Sequence, residues 1–228
     1  MIKNVFLDLD DTIFDFKACE KQGLSAALRS FSLPYQESDI SAYSEINDRM
    51  WKLLEKGEIT RDELMTRRFR LFLERYPDPP TPEVFAEKYM QELSRTSALI
   101  DGAKEVLGIL SDRYDLYAVT NGYERTQRGR IESSGIGTYF RQIFISQLVG
   151  AVKPKKEFFD YCAAHIDGFR LSETVLIGDS PTSDIAGGNA YGLFTIRYNP
   201  AKLPDPEGIL PNKTVSSLYE IPILLASL

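Results

Sequence analysis

Three carboxylates stand almost side by side near the start of the chain. Asp8, Asp10 and Asp11 follow the apolar run Val5 to Leu7 within "NVFLDLDDTIFDF". Like charges this close repel, and burying them is costly unless something positive lies between them. Other stretches carry comparable groups. "DLYAVTN" (115–121) ends in Thr120 and Asn121, Lys153 stands in "VKPKKEFF", and "TVLIGD" (174–179) ends in Asp179, with Asp184 five residues further on. A polar turn that caps the next helix accounts for one such ending. Four of them, with three kinds of side chain, point to a site. Asp8, Asp10 and Asp179 would supply oxygen ligands for a hard cation, and Mg²⁺ favours carboxylates, waters and substrate phosphate. Thr120 offers a hydroxyl, the backbone N–H groups from Asn121 onward suit phosphate oxygens, and Lys153 adds a point charge. This is equipment for phosphoryl transfer, which rests on positioning and on neutralising equatorial oxygens. A carboxylate can serve there as the nucleophile through an aspartyl-phosphate.

The elements that must position these groups alternate along the chain. Strand-like runs at "KNVFLDL", 115–121, "QIFIS" (142–146), 174–179 and "LFTIRYN" (193–199) are separated by amphipathic stretches of helical period. Such alternation predicts repeated βαβ units, hence an α/β fold with a doubly wound parallel sheet of five strands or more. Ligands of such sheets bind beyond the carboxyl ends of the strands, where the polar residues stand.

One region breaks the pattern. From about Lys17 to Thr96 no strong strand appears, and four amphipathic helices are expected. Gly57 is a good stop for the second. Thr60 with Glu63 fits a capping box opening the third. Thr81 before Pro82 fits an N-cap with proline at N1 opening the fourth. An excursion of this length is too long for a simple crossover. It predicts a helical domain at 15–97 inserted into an α/β core made of 1–14 and 98–228.

The bulk properties narrow the partners. The chain has 228 residues and a formal net charge of −6, so it lacks the basic field that nucleic-acid polymers require. No apolar run reaches the roughly 18 residues that span a bilayer. The N-terminus runs straight into a strand without a secretory pattern, and Cys19 and Cys162 lack motif spacing, so reduced thiols and a cytoplasmic location are expected. The single histidine, His165, argues against imidazole-based metal sites and Ser-His-Asp chemistry.

The sequence resembles the haloacid dehalogenase superfamily. The four motifs stand here, in that family's order, as "DLDDT" (8–12), "VTNG" (119–122), "VKPKKEFF" (152–159) and "GDSPTSD" (178–184). The resemblance implies that Asp8 is the nucleophile and Asp10 the general acid and then base. It implies that Thr120, Asn121 and Lys153 hold the phosphoryl group, that Asp179 helps bind Mg²⁺, and that Asp184 steadies Lys153 or a metal-bound water. The helical insert matches the family's cap. A departing halide needs no proton, whereas an alcohol does, so the acid at Asp10 favours a phosphatase over a dehalogenase.

The insert segment "YSEINDRMWKLLEKGEITRDELMTRRF" (43–69), with "TNGYERTQ" and the tail "PEGILPNKTVSSLYE", also resembles the 5′-nucleotidases of pyrimidine and non-canonical nucleoside monophosphates. On that resemblance the partner is a small phosphorylated substrate, a nucleoside 5′-monophosphate. Phe14, Phe16, Asn47, Trp51 and Tyr123 are candidates for reading the base, by stacking and by an amide at its edge. Trp51, with Met50 and Leu54, also suits a helical core, and Arg67, Arg68 and Arg70 suit a solvated face. A sugar-phosphate or phosphoglycolate phosphatase and a phosphomutase stay open. A binding module on a disabled scaffold should have lost one of Asp8, Asp10, Lys153 or Asp179, and all four are present.

Overall fold

A computed structural model describes all residues, 1–228. The chain divides into two compact units. The first comprises Met1–Asp15, Ala98–Glu124 and Ser134–Leu228, and the second Phe16–Ser97 with Arg125–Ser133.

The first unit is an α/β unit. Its six parallel strands are β1 (Asn4–Leu7), β2 (Asp115–Thr120), β3 (Phe140–Ile145), β4 (Thr174–Gly178), β5 (Phe194–Tyr198) and β6 (Lys213–Val215), in the order β3-β2-β1-β4-β5-β6. The winding reverses beside β1, so β1 and β4 flank the topological switch point, where such sheets place their ligands. The central strands read as continuous apolar runs because both faces are buried. One face rests on a cluster of Phe6, Val119, Phe144, Phe158, Phe159, Cys162 and Leu176. Five strands fall where the alternation predicts them. The sixth escapes the pattern because it has only three residues, two of them exposed, and follows a Pro/Gly-rich stretch.

The second unit is helical: α1 (Phe16–Ser30), α2 (Glu37–Glu55), α3 (Arg61–Leu73) and α4 (Pro82–Leu93). The ends follow from local chemistry. Gly57, at φ 74, takes the left-handed conformation just beyond α2. Glu63 accepts the Thr60 N–H at 2.7 Å while Thr60 Oγ1 accepts the Glu63 N–H at 3.2 Å, a reciprocal capping box. Thr81 caps α4 with Pro82 in its first turn. The apolar faces meet in an aromatic core of Tyr43, Phe69, Phe72, Phe85 and Tyr89, with Tyr43 stacked on Phe69 at 5.4 Å. Helices α1 and α4 approach closely because position 23 is glycine: a Cβ there would lie 3.1 Å from the Leu93 backbone.

The boundary differs from the expected one at one helix. Residues 125–133, within α6 (Glu124–Ser134), group with the inserted helices. Gly129 permits this, since a Cβ there would meet Ser94 O at 2.5 Å, and Arg125 pairs with Glu87. The remaining helices, α5 (Ala103–Ser111), α7 (Ser146–Val149), α8 (Lys156–Ala164), α9 (Ala186–Tyr191) and α10 (Glu220–Leu225), belong to the α/β unit. Both cysteines are buried thiols outside any disulfide, and no helix is long and apolar enough to cross a membrane.

Candidate active site

The site is built at the carboxyl ends of β1, β2 and β4. Asp8 leaves β1 with its N–H donating to Ile177 O at 2.9 Å, which fixes it beside the end of β4. The chain then turns tightly. Ile13 and Phe14 both donate to Leu9 O, and Asp11 takes a left-handed φ of 59, a conformation aspartate tolerates better than most residues. This turn carries Asp10. Asp179 leaves β4 next door and accepts from Thr12 Oγ1 at 3.4 Å. After it, Ser180 caps a single π-helical turn, Pro181–Ile185, by accepting the Ser183 N–H at 3.2 Å. That turn sends Asp184 back toward the strand ends. Gly178 is required there, because a Cβ would lie 2.3 Å from Asp184 Oδ2.

Lys153 joins these elements. Its ammonium donates to Asp8 Oδ1 at 2.6 Å, to Asp184 Oδ1 at 2.7 Å and to Val119 O at 2.6 Å, so all three protons are used. Lys153 and Asp184 are each 1% exposed, and Asp8 7%. The backbone of Lys153 is clamped in turn by the side chain of Asn121, which donates to Lys153 O at 2.9 Å and accepts the Lys153 N–H at 2.8 Å. Thr120 Oγ1 accepts the Gly122 N–H at 3.1 Å, which pins the hydroxyl within the turn after β2.

The electrostatics are unbalanced. Ligand oxygens of Asp8, Asp179 and Asp184 lie within 4.8 Å of one another, with one ammonium among them. Burial pushes the Asp8 carboxyl up to about 8; Lys153 opposes the shift, while Asp184 and Asp10 add to it. Burial, then the charges of Asp8 and Asp184, holds Asp179 well above the carboxylate range. For Lys153, burial alone would favour the neutral amine, but Asp184 and Asp8 overturn this and keep it firmly protonated. Such a set, hard oxygen donors in excess of the positive charge, fits a divalent cation.

The structure brings Asp8, Lys153, Asp179 and Asp184 together, with Thr120 and Asn121 at the neighbouring strand end. It corrects two sequence expectations, for Asn47 and Arg68. The three carboxylates whose oxygens converge are Asp8, Asp179 and Asp184, with Asp10 on the turn after Asp8; both Asp184 oxygens are already engaged, by Lys153 and by the Ser180 N–H at 3.2 Å. The Asn121 side chain serves the Lys153 backbone, and its main chain is the part expected to meet a phosphate. Asn47 does not present its amide to a base. It is fully buried in the helical unit, donating to Glu20 Oε1 at 2.7 Å and accepting from Arg68 Nη1 at 2.7 Å. Arg68, expected on a solvated face, is buried with it. Phe14 is fully buried, Tyr123 is nearly so, and Phe16 and Trp51 are half-buried on α1 and α2.

Sequence reasoning missed Glu20 and Arg68. Their signal was available: each stands in the apolar stripe of its helix, Glu20 with Gly23, Leu24 and Ala27, and Arg68 with Leu64 and Phe72.

Known proteins are similar to this chain along nearly its whole length. The HAD-hydrolase YfnB of Bacillus subtilis is 36% identical over 96% of this chain and 93% of its own length. Its crystal structure, bound to magnesium, superposes with a TM-score of 0.94 and covers 98% of each chain. Pyrimidine 5′-nucleotidase PynA of Streptococcus pneumoniae is 35% identical over 96% of this chain and 93% of its own. Pyrimidine 5′-nucleotidase YjjG of Escherichia coli is 32% identical over 97% and 96%. The family model for haloacid dehalogenase-like hydrolases matches residues 2–192, a span that begins just before β1 and runs past Asp184. The chain belongs to that family of hydrolases.

Proposed function

We propose that the protein is a magnesium-dependent phosphomonoesterase acting through an aspartyl-phosphate, with a pyrimidine nucleoside 5′-monophosphate as substrate. The observation that carries the reading is the buried ammonium of Lys153, 2.6 Å from Asp8 in a cluster that retains excess negative charge. Asp8 is thereby aimed and held beside a cation at the place where a phosphoryl group would arrive. Asp8, Asp179 and the turn bearing Asp10 would hold Mg²⁺, which supplies charge neutralisation for the phosphoryl oxygens when bound. The structure of YfnB bound to magnesium, at 36% identity, supports that choice of ion.

The chain's own groups then divide the work. An Asp8 oxygen attacks phosphorus and the ester P–O bond breaks. The departing nucleoside oxygen takes its proton from Asp10. Lys153 and the Thr120 hydroxyl offset the charge on the phosphoryl oxygens, in a site that needs no reorganisation to do so. Water then attacks the phosphorus of the aspartyl-phosphate and gives its proton to Asp10, which releases phosphate and restores the Asp8 carboxylate. Asp10 separates this reading from halide displacement, which requires no acid.

Two relatives named as pyrimidine 5′-nucleotidases, at 35% and 32% identity over nearly full length, support the nucleotide. Phe16 and Trp51 keep exposed area and are the aromatic faces proposed for the base. The test is phosphate release across UMP, dUMP, dTMP, CMP, AMP, GMP, phosphoglycolate and hexose phosphates, with Mg²⁺ and with EDTA. The expected result is metal-dependent turnover with the highest kcat/KM for pyrimidine nucleotides. A sugar phosphate or phosphoglycolate tenfold above every pyrimidine would reject the nucleotide, and full activity in EDTA would reject the metal.

A further inference from the structure

Strand β5 carries polar side chains where a buried parallel strand should be apolar. Thr195 and Arg197, with Asn199 just past the strand end, follow at every second position and so share one face. Their exposures are 0%, 4% and 8%. Each is bonded to the irregular excursion between β5 and β6. Thr195 Oγ1 donates to Asn189 Oδ1 at 2.7 Å and meets Asn212 Oδ1 at 3.1 Å. Asn199 donates to Leu203 O at 2.8 Å and accepts the Leu203 N–H at 3.0 Å. Arg197 Nη1 donates to Asp205 Oδ1 at 2.5 Å, Leu203 O at 3.2 Å and Pro204 O at 3.4 Å.

Arg197 does one thing its two neighbours do not. Register places it directly beside Gly178, the last residue of β4, and its Nε donates to the backbone carbonyl of Asp179 at 3.5 Å. The guanidinium therefore connects the excursion at 203–205 to the main chain of a carboxylate in the acidic cluster. A tie between loop and strand needs no charge, as Asn199 demonstrates. A buried guanidinium carries a desolvation cost that only a fixed, well-paired geometry offsets, and Asp205 provides that pairing. We infer that Arg197, held by Asp205, is a positioning residue for the cation site: it fixes the Asp179 carbonyl and so the direction of the Asp179 carboxylate. The inference rests on the magnesium-dependent reading above.

The test is calorimetric titration of Mg²⁺ into metal-free protein, for the wild type, Arg197→Met, Arg197→Lys, Asp205→Asn and Thr195→Val. The melting temperature in chelator and the substrate KM at saturating Mg²⁺ are measured alongside. Partners that orient metal ligands typically contribute tenfold or more to affinity, so Arg197→Met should weaken Mg²⁺ binding on the order of tenfold. Substrate KM at saturating Mg²⁺ should hold, because the phosphate contacts lie on Thr120 and Lys153. Arg197→Lys should recover part of the loss, and Asp205→Asn should show a smaller one. Thr195→Val breaks the same polar ladder away from Asp179, so it should lower the melting temperature and leave Mg²⁺ affinity unchanged. If Arg197→Met does not fold, Arg197→Lys and Asp205→Asn carry the same comparison with Thr195→Val. Wild-type affinity in the Arg197 and Asp205 variants, or an equal loss in Thr195→Val, would overturn the inference alone. Absence of Mg²⁺ binding by the wild type would overturn the metal reading and the inference with it.

Discussion

Each unit of this molecule buries a cation among polar groups, and Lys153 and Arg68 do it differently. In the α/β unit, Lys153 touches two carboxylates directly and a third lies within 4.8 Å of them. In the helical unit, Arg68 and Glu20 both bond the amide of Asn47. Asn47 stands between them, and the other guanidinium nitrogen lies against the thioethers of Met90 at 3.7 Å and Met65 at 4.0 Å. The second cluster pairs one cation with one acid through an amide that serves both, and there burial lifts the acid, Glu20, to about 7. The first does not balance, and it strains its own acids, raising Asp8 and Asp179. A stable fold gains nothing from surplus buried negative charge, so surplus marks a place prepared for something positive. Balance marks a place that holds the fold together. The contrast separates chemistry from architecture among residues that look alike in the sequence.

The largest expected effect breaks the unbalanced cluster at its nucleophile. Asp8→Asn keeps the shape of the side chain and removes its ability to form an acyl-phosphate. Phosphate release should fall to background while the circular dichroism spectrum is unchanged. More than a few percent of residual turnover would show that another group attacks. Next in size is Asp10→Asn. General acid–base catalysis is typically worth about 10²–10⁴-fold, and that loss is expected with nucleotide substrates. It should shrink with para-nitrophenyl phosphate, whose leaving group hardly needs a proton. An equal loss on both substrates would move Asp10 from proton transfer to metal binding.

The balanced cluster should fail in a different currency. Asn47→Leu removes from a buried site the hydrogen bond that Glu20 accepts and the one that Arg68 donates. Removing one partner from such a network costs about 3 kcal/mol, which for a chain of this size lowers the melting temperature by roughly 10 °C. The relative kcat/KM values of UMP, CMP and AMP should not change, since the amide faces Glu20 and Arg68 rather than a ligand. A selective loss for one base at unchanged stability would return Asn47 to substrate recognition.

The two clusters were unequally legible in the sequence. Asp8, Thr120, Lys153 and Asp179 could be found because each ends or follows a strand, and strand ends in a doubly wound sheet converge. Chain order alone therefore brings them together, whatever the side chains do. The same logic recovers five of the six strands and the caps at Thr60 and Thr81. It cannot reach facts decided by side-chain direction. Whether the Asn121 amide faces a phosphate or the Lys153 backbone depends on a rotamer. Whether Arg68 is solvated depends on which of three nearby arginines the helix turns inward. The helix 125–133 reads as part of a βα unit because its neighbours in sequence do; its packing against Ser94 depends on a missing Cβ at Gly129. Charged residues inside an apolar stripe were the available clue to the balanced cluster.

The smallest expected effect is a pH dependence confined to the helical unit. Burial lifts the Glu20 carboxyl from 4.5 to about 7; hydrogen bonds from Ser44 and Asn47 and the charge of Lys17 restrain it, and Asp48 adds to it. Its folded-state value lies above its unfolded one, so between those two values the folded protein holds a proton that the unfolded chain has released. Stability must then fall as pH rises from about 4.5 to about 7, with the full penalty present above 7. A shift of this size corresponds to on the order of 3 kcal/mol, reduced in practice by relaxation around the exposed Lys17 and Asp48. Asp8 and Asp179 impose slopes of the same sign, so the wild-type curve alone cannot isolate Glu20. The difference between Glu20→Gln and the wild type can. Glutamine keeps an oxygen to accept from Asn47 and cannot ionise. In urea unfolding the variant should match the wild type at pH 5 and exceed it at pH 8, by a margin that opens between those values. A difference that stays constant with pH would mean that Glu20 is already ionised in the folded state, and that Arg68 balances it fully through the intervening amide.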